Sequence, residues 1–271
     1  MTEHPETEPP GAVITASAGL VHWMAQTGNS FAFTSYQTGQ LFLVGVRSDG
    51  SLSVNQQNYV RAMGLAVDGP RLHLASQYQV WTLANMLAPG QIANDEFDVA
   101  FVPRHAHTTG DIDAHELAIA GDGRSIFVNT RYNCLATLDP ACSFRAIWKP
   151  DFIDAIVGED RCHLNGLAIC GTRALVTLSK PRDGSFGGLA LDGELARRGM
   201  TAWCGVVLVD LVSGKGAEWL RIEGRINELF DVVLLPGVRC PMSLGIDSDE
   251  IRATITHSSA LPPDTDQKAP G

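Results

Sequence analysis

Two histidines open nearly matching runs, His115 in "HELAIAGDGRSIFVNT" and His163 in "HLNGLAICGTRALVTLS". Neutral imidazole is a ligand for zinc, iron, copper or nickel, and it is also the side chain suited to exchanging a proton near neutral pH. A carboxylate would complete a metal set, and two are available: Asp113, two residues before His115, and Glu228 in "EGRINE". Converging on one axis, His115, His163, Asp113 and Glu228 could hold a divalent transition metal. This pattern is long-range, unlike an HExxH helix that fixes two ligands at once. A second reading therefore stands beside the first: the histidines are hydrogen-bonded residues that pack a channel and satisfy strand-end backbone groups.

Donors suited to an anionic small molecule are also present. Arg61, Asn129, Arg131, Asn165, Lys180 and Arg182 all fall at strand starts or in the longer connections, where a carboxylate or phosphate would find charge-assisted partners. Arg161 reads better as an ion-pair partner of Glu159 or Asp160, and His105 and His107 in "RHAH" read as solvated loop residues. No nucleophile elbow, glycine-rich phosphate loop or dinucleotide fingerprint occurs in the chain.

Composition narrows the classes further. At 271 residues, 45% hydrophobic and 18% charged, the chain can bury a large core and has too few charges for a disordered protein. A net charge of −10 argues against a nucleic-acid partner, because phosphate backbones are bound by lysine and arginine. The start, "MTEHPETEPPGAV", is acidic and proline-rich, and no apolar run reaches the roughly 20 residues that span a bilayer. The expected location is cytoplasmic, with no membrane partner. Six cysteines without a CxxC pair read as reduced packing residues.

The elements that must position these residues follow from an internal repeat. "RAMGLAVDGPRLHLAS", "HELAIAGDGRSIFVNT" and "HLNGLAICGTRALVTLS" align on a shared Leu-Ala, which sets Leu65, Leu117 and Leu167 52 and 50 residues apart. Each copy reads as strand, glycine turn, strand, followed by two more strand-like runs. Four strands per unit of about 50 residues is the pattern of a β-propeller blade. The expected fold is an all-β propeller of four blades: 231–235 with 31–57, then 62–101, 115–148 and 164–222. "LFDVVLLPG" would close the ring by pairing with the N-terminal strands. The expected domain is 21–258, with disordered tails at 1–20 and 259–271 and an insertion at 181–203 lying over the loop face. In this register Arg61, Asp113, His163 and Glu228 occupy equivalent positions at the channel mouth, with His115 and Asn165 two residues further in.

Several longer strings, "FTSYQTGQLFLVG", "EDRCHLNGLA", "LSKPRDGSFGGLALD" and "LFDVVLLPGVRCPMSLG", resemble an uncharacterised bacterial family, domain of unknown function 4915. The resemblance covers most of residues 20 to 255 and implies no activity. It does imply a shortening: members carry further repeats between the segments resembling "HLNGLA" and "LSKPR", whereas here the two fuse within one hairpin. Three functional expectations follow. They are an enzyme with a metal or small-molecule site at the mouth, a non-catalytic scaffold that binds a metabolite or protein on its loop face, and a shortened copy without activity.

Overall fold

A computed structural model describes residues 12–178, 203–226 and 228–257, with Arg197 and Gly199. The described chain is all-β in character, a series of antiparallel meanders with two short helices. The N-terminal sheet joins β2 (Ser30–Ser35), β3 (Gln40–Val46) and β4 (Leu52–Asn58). Its innermost strand comes from the far end of the sequence: β17 (Val232–Leu235) pairs antiparallel with β2, Val232 opposite Phe33 and Leu235 opposite Ser30. The expected pairing of the C-terminal strand with the N-terminal blade is thus present, and it covers an edge that would otherwise be open.

The next sheet runs through β5 (Leu65–Asp68), β6 (Arg71–Ala75), β7 (Gln79–Asn85) and β8 (Val99–Thr108), and the third through β9 (Ala114–Ile119), β10 (Ser125–Asn129), β11 (Cys134–Asp139) and β12 (Cys142–Trp148). The β9–β10 hairpin turns on Gly123, whose φ of 82° is a left-handed state that a Cβ disfavours. Inner strands pack in sequence: β17 against β5, β5 against β9, and β9 against β13 (Leu164–Cys170). Hydroxyls stitch neighbouring sheets at matching places. Thr34 Oγ1 donates to the Met63 carbonyl at 2.7 Å, and Thr130 Oγ1 to that of Leu164 at 2.6 Å.

All seven residues of β3 are buried, which requires cover on both faces of the N-terminal sheet. On one side Leu41 and Leu43 pack with Leu65, Leu72, Leu74 and Leu83. On the other, Phe42 and Val44 pack with Leu220 and Ile222 of β16 (Lys215–Glu223) and with Leu20 and Met24 of α1 (Ala18–Thr27).

That second contact explains the main departures from the expected blades. Among the described residues, 164–222 do not form one four-stranded sheet: β13 pairs with β14 (Arg173–Leu178) alone, while β15 (Cys204–Asp210) and β16 belong to a separate sheet completed by β1 (Val13–Ala16). The apolar side of β15 and β16, with Cys204, Val206, Leu208, Leu220 and Ile222, is taken by the N-terminal sheet. β1 and the start of α1 also fall within residues 1–20, expected to be a tail. The second sheet gains β18 (Pro241–Ser243), parallel to β8 and too short to show a period. A final helix, α2 (Asp249–Ala253), is capped by Ser248, whose Oγ accepts from Ile251 N. The expected insertion at 181–203 and the C-terminal tail at 259–271 lie outside the described residues, apart from Arg197, Gly199 and Trp203.

"RHAH", read from the sequence as loop, lies within β8, which runs as far as Thr108. The β7–β8 register shifts beside Pro103, which has no N–H to give the ladder. His105 therefore lies opposite Thr82 within β8. His107 Nε2 donates to the carbonyls of Cys142 and Ser143, 3.1 Å from each, which ties β8 to β12.

Candidate functional site

Three equivalent residues share an unfavourable backbone state. Arg61, Asp113 and His163, each four residues before the aligned leucine of its repeat, have φ values of 51°, 50° and 39°. Non-glycine residues at positive φ are uncommon, and a cluster of them marks places where side-chain direction is over-determined by the surroundings. Two of the three pair directly. Arg61 Nη2 donates to Asp113 Oδ1 at 2.8 Å and to the Tyr36 hydroxyl, and its guanidinium carbon lies 4.7 Å from the Tyr36 ring centroid. Arg61 and Arg131 both reach Asp111 Oδ2 at 3.5 Å, and Arg131 also donates to the Asp111 carbonyl.

His115, two residues into the repeat, lies beside this network. Its ring centroid is 5.2 Å from that of His163 and 5.3 Å from that of Phe230, both edge-on, and Phe230 in turn stacks on Tyr36. The two imidazoles are held alike, each through Nδ1 on an oxygen. His115 Nδ1 donates to the Asp113 carbonyl at 3.2 Å, and His163 Nδ1 lies 2.6 Å from Asp160 Oδ2. Burial, above all, holds the His115 pKa below its ordinary value, and the neighbouring His163 adds to the effect. With its Nδ1 committed to an oxygen, proton exchange at the His115 ring is left to Nε2.

Asp160 is itself positioned from the neighbouring sheet. Its second oxygen accepts the His163 backbone N–H at 2.7 Å. Asn133, buried in the β10–β11 turn at φ 56°, accepts from Arg161 N and Cys162 N through Oδ1 at 2.8 and 2.9 Å and donates to the Glu159 carbonyl at 2.6 Å. One side chain thus fixes the loop that carries Asp160 and His163. Two buried polar atoms of this network, Arg61 Nε and Asp111 Oδ1, have no hydrogen-bond partner among the described residues.

The sequence of the whole domain identifies its relatives. A profile described as "Domain of unknown function (DUF4915)" matches residues 18–173 and 166–244. The chain belongs to the DUF4915 family. The two matched segments share residues 166–173. No curated protein matches this DUF4915 chain. Among solved structures it is similar to a luciferin-regenerating enzyme at a TM-score of 0.33 and 11% identity, over 79% of this chain and 66% of that one. It is also similar to a glutaminyl cyclase of Myxococcus xanthus at a TM-score of 0.31 and 18% identity, over 75% of this chain and 90% of the other. The DUF4915 chain thus spans slightly less than two thirds of the luciferin-regenerating enzyme.

The expected site residues divide into those the fold gathers and those it does not. Arg61, Asp113, His115, Arg131 and His163 come together as described. Asn129 is the buried last residue of β10, where Oδ1 accepts from Tyr132 N of the following turn. Asn165 is exposed on β13, and Lys180 and Arg182 lie outside the described residues. Glu228 is exposed, and its charge helps burial to raise the Cys204 thiol pKa. Among the described residues no group of three or more His, Cys, Asp or Glu side chains is arranged to hold a metal ion. Arg161 is ion-paired with Glu159 and with Asp154. The residues missed in this role, Tyr36, Asn133, Asp160 and Phe230, are contributed by loops whose repeat copies differ. No helix is long and apolar enough to cross a membrane among the described residues.

Proposed function

We propose that the chain is a four-bladed ring, with inner strands β17, β5, β9 and β13 and a fourth blade reduced to β13 and β14, that binds one small hydroxylated anion at its mouth. The observation that carries this reading is the threefold recurrence of positive φ at Arg61, Asp113 and His163. Each such residue costs on the order of 1–3 kcal/mol, a cost retained where the direction of a side chain matters more than local stability. The orphaned Arg61 Nε calls for an acceptor and the orphaned Asp111 Oδ1 for a donor. A hydroxyl beside a carboxylate or phosphate supplies both. His115 would exchange a proton with that hydroxyl at Nε2, with His163, held on Asp160, at its edge.

The test is a thermal-shift panel of hydroxycarboxylates, sugar acids, sugar phosphates, zinc and manganese on the parent chain and on His163→Ala and His115→Ala. One class of hydroxylated anion should raise the melting temperature of the parent and fail to raise that of the variants. A panel without any stabilising anion, or one whose anions act equally on all three proteins, would reject the reading. Stabilisation by the metals alone, lost in both variants, would replace the anion with the metal set of His115 and His163, each of which already has the oxygen-anchored Nδ1 that a ligand histidine needs.

A further inference from the structure

Two strands stand at the rims of their sheets. β14 ends the β13–β14 pair and β15 ends the β1–β16–β15 sheet, so among the described residues each presents one unpaired edge. Such edges recruit further strands unless charge or proline blunts them. Neither edge is blunted. "RALVTL" and "CGVVLVD" carry one charge each, Arg173 at the start of β14 and Asp210 at the end of β15. The register shifts in these sheets place the extra residue on β13 and on β16, which leaves β14 and β15 regular.

The faces of the two strands are complementary. On β14, Val176 packs toward Leu135 of the third sheet, while Leu175, on the opposite face, is 71% exposed. On β15, Cys204, Val206 and Leu208 pack toward the N-terminal sheet. Val207 and Val209 on the other face are exposed, as is Trp219, which lies opposite Val207 on β16. Each strand pair thus covers the side that the other leaves bare. A groove of about 970 Å³ lies between the third sheet and β13–β14, with Leu135, Ile147, Trp148, Ile169 and Val176 among its walls.

We propose that β14 of one copy pairs antiparallel with β15 of a second copy, so that β13, β14 and the second copy's β15 and β16 make one four-stranded blade. Opposite charges set the register. With Arg173 opposite Asp210, Ala174 falls opposite Val209, Leu175 opposite Leu208 and Val176 opposite Val207. Val207, Val209 and Trp219 then enter the apolar groove, and Leu175 turns to the side of the second copy's N-terminal sheet. A slip of one residue would exchange the faces and separate the charges. Within one chain the two halves are anchored apart. Thr130 Oγ1 holds the Leu164 carbonyl of β13 to the third sheet, whereas buried Leu220 and Ile222 hold β16 to the N-terminal sheet. Both anchors are kept when the second strand pair comes from another copy. Because two different edges meet, the contact is head-to-tail and closes when the copies form a ring.

Cross-linking reads this contact directly. In a Cys142→Ser, Cys170→Ser background, chains carrying Ala174→Cys and chains carrying Val209→Cys are co-expressed and treated with a short bis-maleimide, which reaches between opposed strand residues about 5 Å apart. The two chains should be joined, with the bridge mapped by mass to positions 174 and 209. Light scattering should give the parent as a discrete assembly of two or more copies, and Leu175→Glu should lower that mass to a single chain. Absence of the bridge between co-expressed chains would overturn the proposal, as would a parent with the mass of one chain at every concentration up to its solubility limit. A bridge confined to one chain when both cysteines are placed together would also overturn it, because the occupant of the β14 edge would then be β15 of the same chain.

Discussion

Replacing Asn133 by alanine should do more damage than any other single change in the loops around the mouth. The side chain is fully buried and makes three hydrogen bonds to the backbone of residues 159–162, two accepted and one donated. At about 1 kcal/mol for each bond lost with its partner left inside, the bonds account for roughly 3 kcal/mol. Asn133 also stands at φ 56°, where alanine costs about 1 kcal/mol more than asparagine. Asn133→Ala should therefore lose about 4 kcal/mol, which for a chain of this size corresponds to a fall of roughly 8–16 °C in melting temperature. Asn133→Gly relieves the backbone term alone and should recover about 1 kcal/mol of that loss. Urea denaturation measures both, and amide exchange at Arg161 and Cys162 should accelerate in each variant. Unfolding of Asn133→Ala within about 1 kcal/mol of the parent, or unchanged protection of those two amides, would refute this role for Asn133.

Other consequences are more local. Phe33→Ala removes a fully buried ring stacked 4.7 Å from Phe42 and should cost about 3–5 kcal/mol in urea titration. A coloured disulfide reagent should modify exposed Cys142 and Cys170 within the native chain. Cys134, buried and with its thiol pKa pushed up to about 12, should react only after unfolding, and mass mapping of the labelled peptides separates the classes. Asp98→Ala should release β18 from β8, because its two oxygens accept from Arg239 N and Cys240 N, and limited proteolysis after Arg239 should become faster.

The repeat, with its glycine turns and Leu-Ala core, was legible because it recurs in the sequence. The same alignment placed Arg61, Asp113 and His163 in one register, and the structure joins that register through the Arg61–Asp113 bond and the contact between the two imidazoles. The C-terminal strand was found by counting a missing member. What escaped notice depended on competition between surfaces rather than on local pattern. Residues 204–223 carry the alternation of two blade strands, but nothing in that alternation reveals that Phe42 and Val44 would claim their apolar side. Pro103 disguised the second half of β8 as a loop, since a proline usually argues against a continuing strand. Asp160 and Asn133 gave no signal, because their roles lie in backbone contacts between one repeat and the next. Glu228 was placed by extending the register to a blade with a different approach, where Phe230 and Asp231 take the inner positions.

The central claim is that the mouth formed by Arg61, Asp113, His115 and His163 receives a small hydroxylated anion. Its most direct test is a titration of imidazole-labelled protein with the best-stabilising hydroxycarboxylate or sugar phosphate, followed by histidine side-chain NMR. Both the His115 and His163 resonances should move together and saturate, while that of His73, buried in β6 against Thr82, stays in place. Saturable binding that leaves His115 and His163 unmoved would contradict the account.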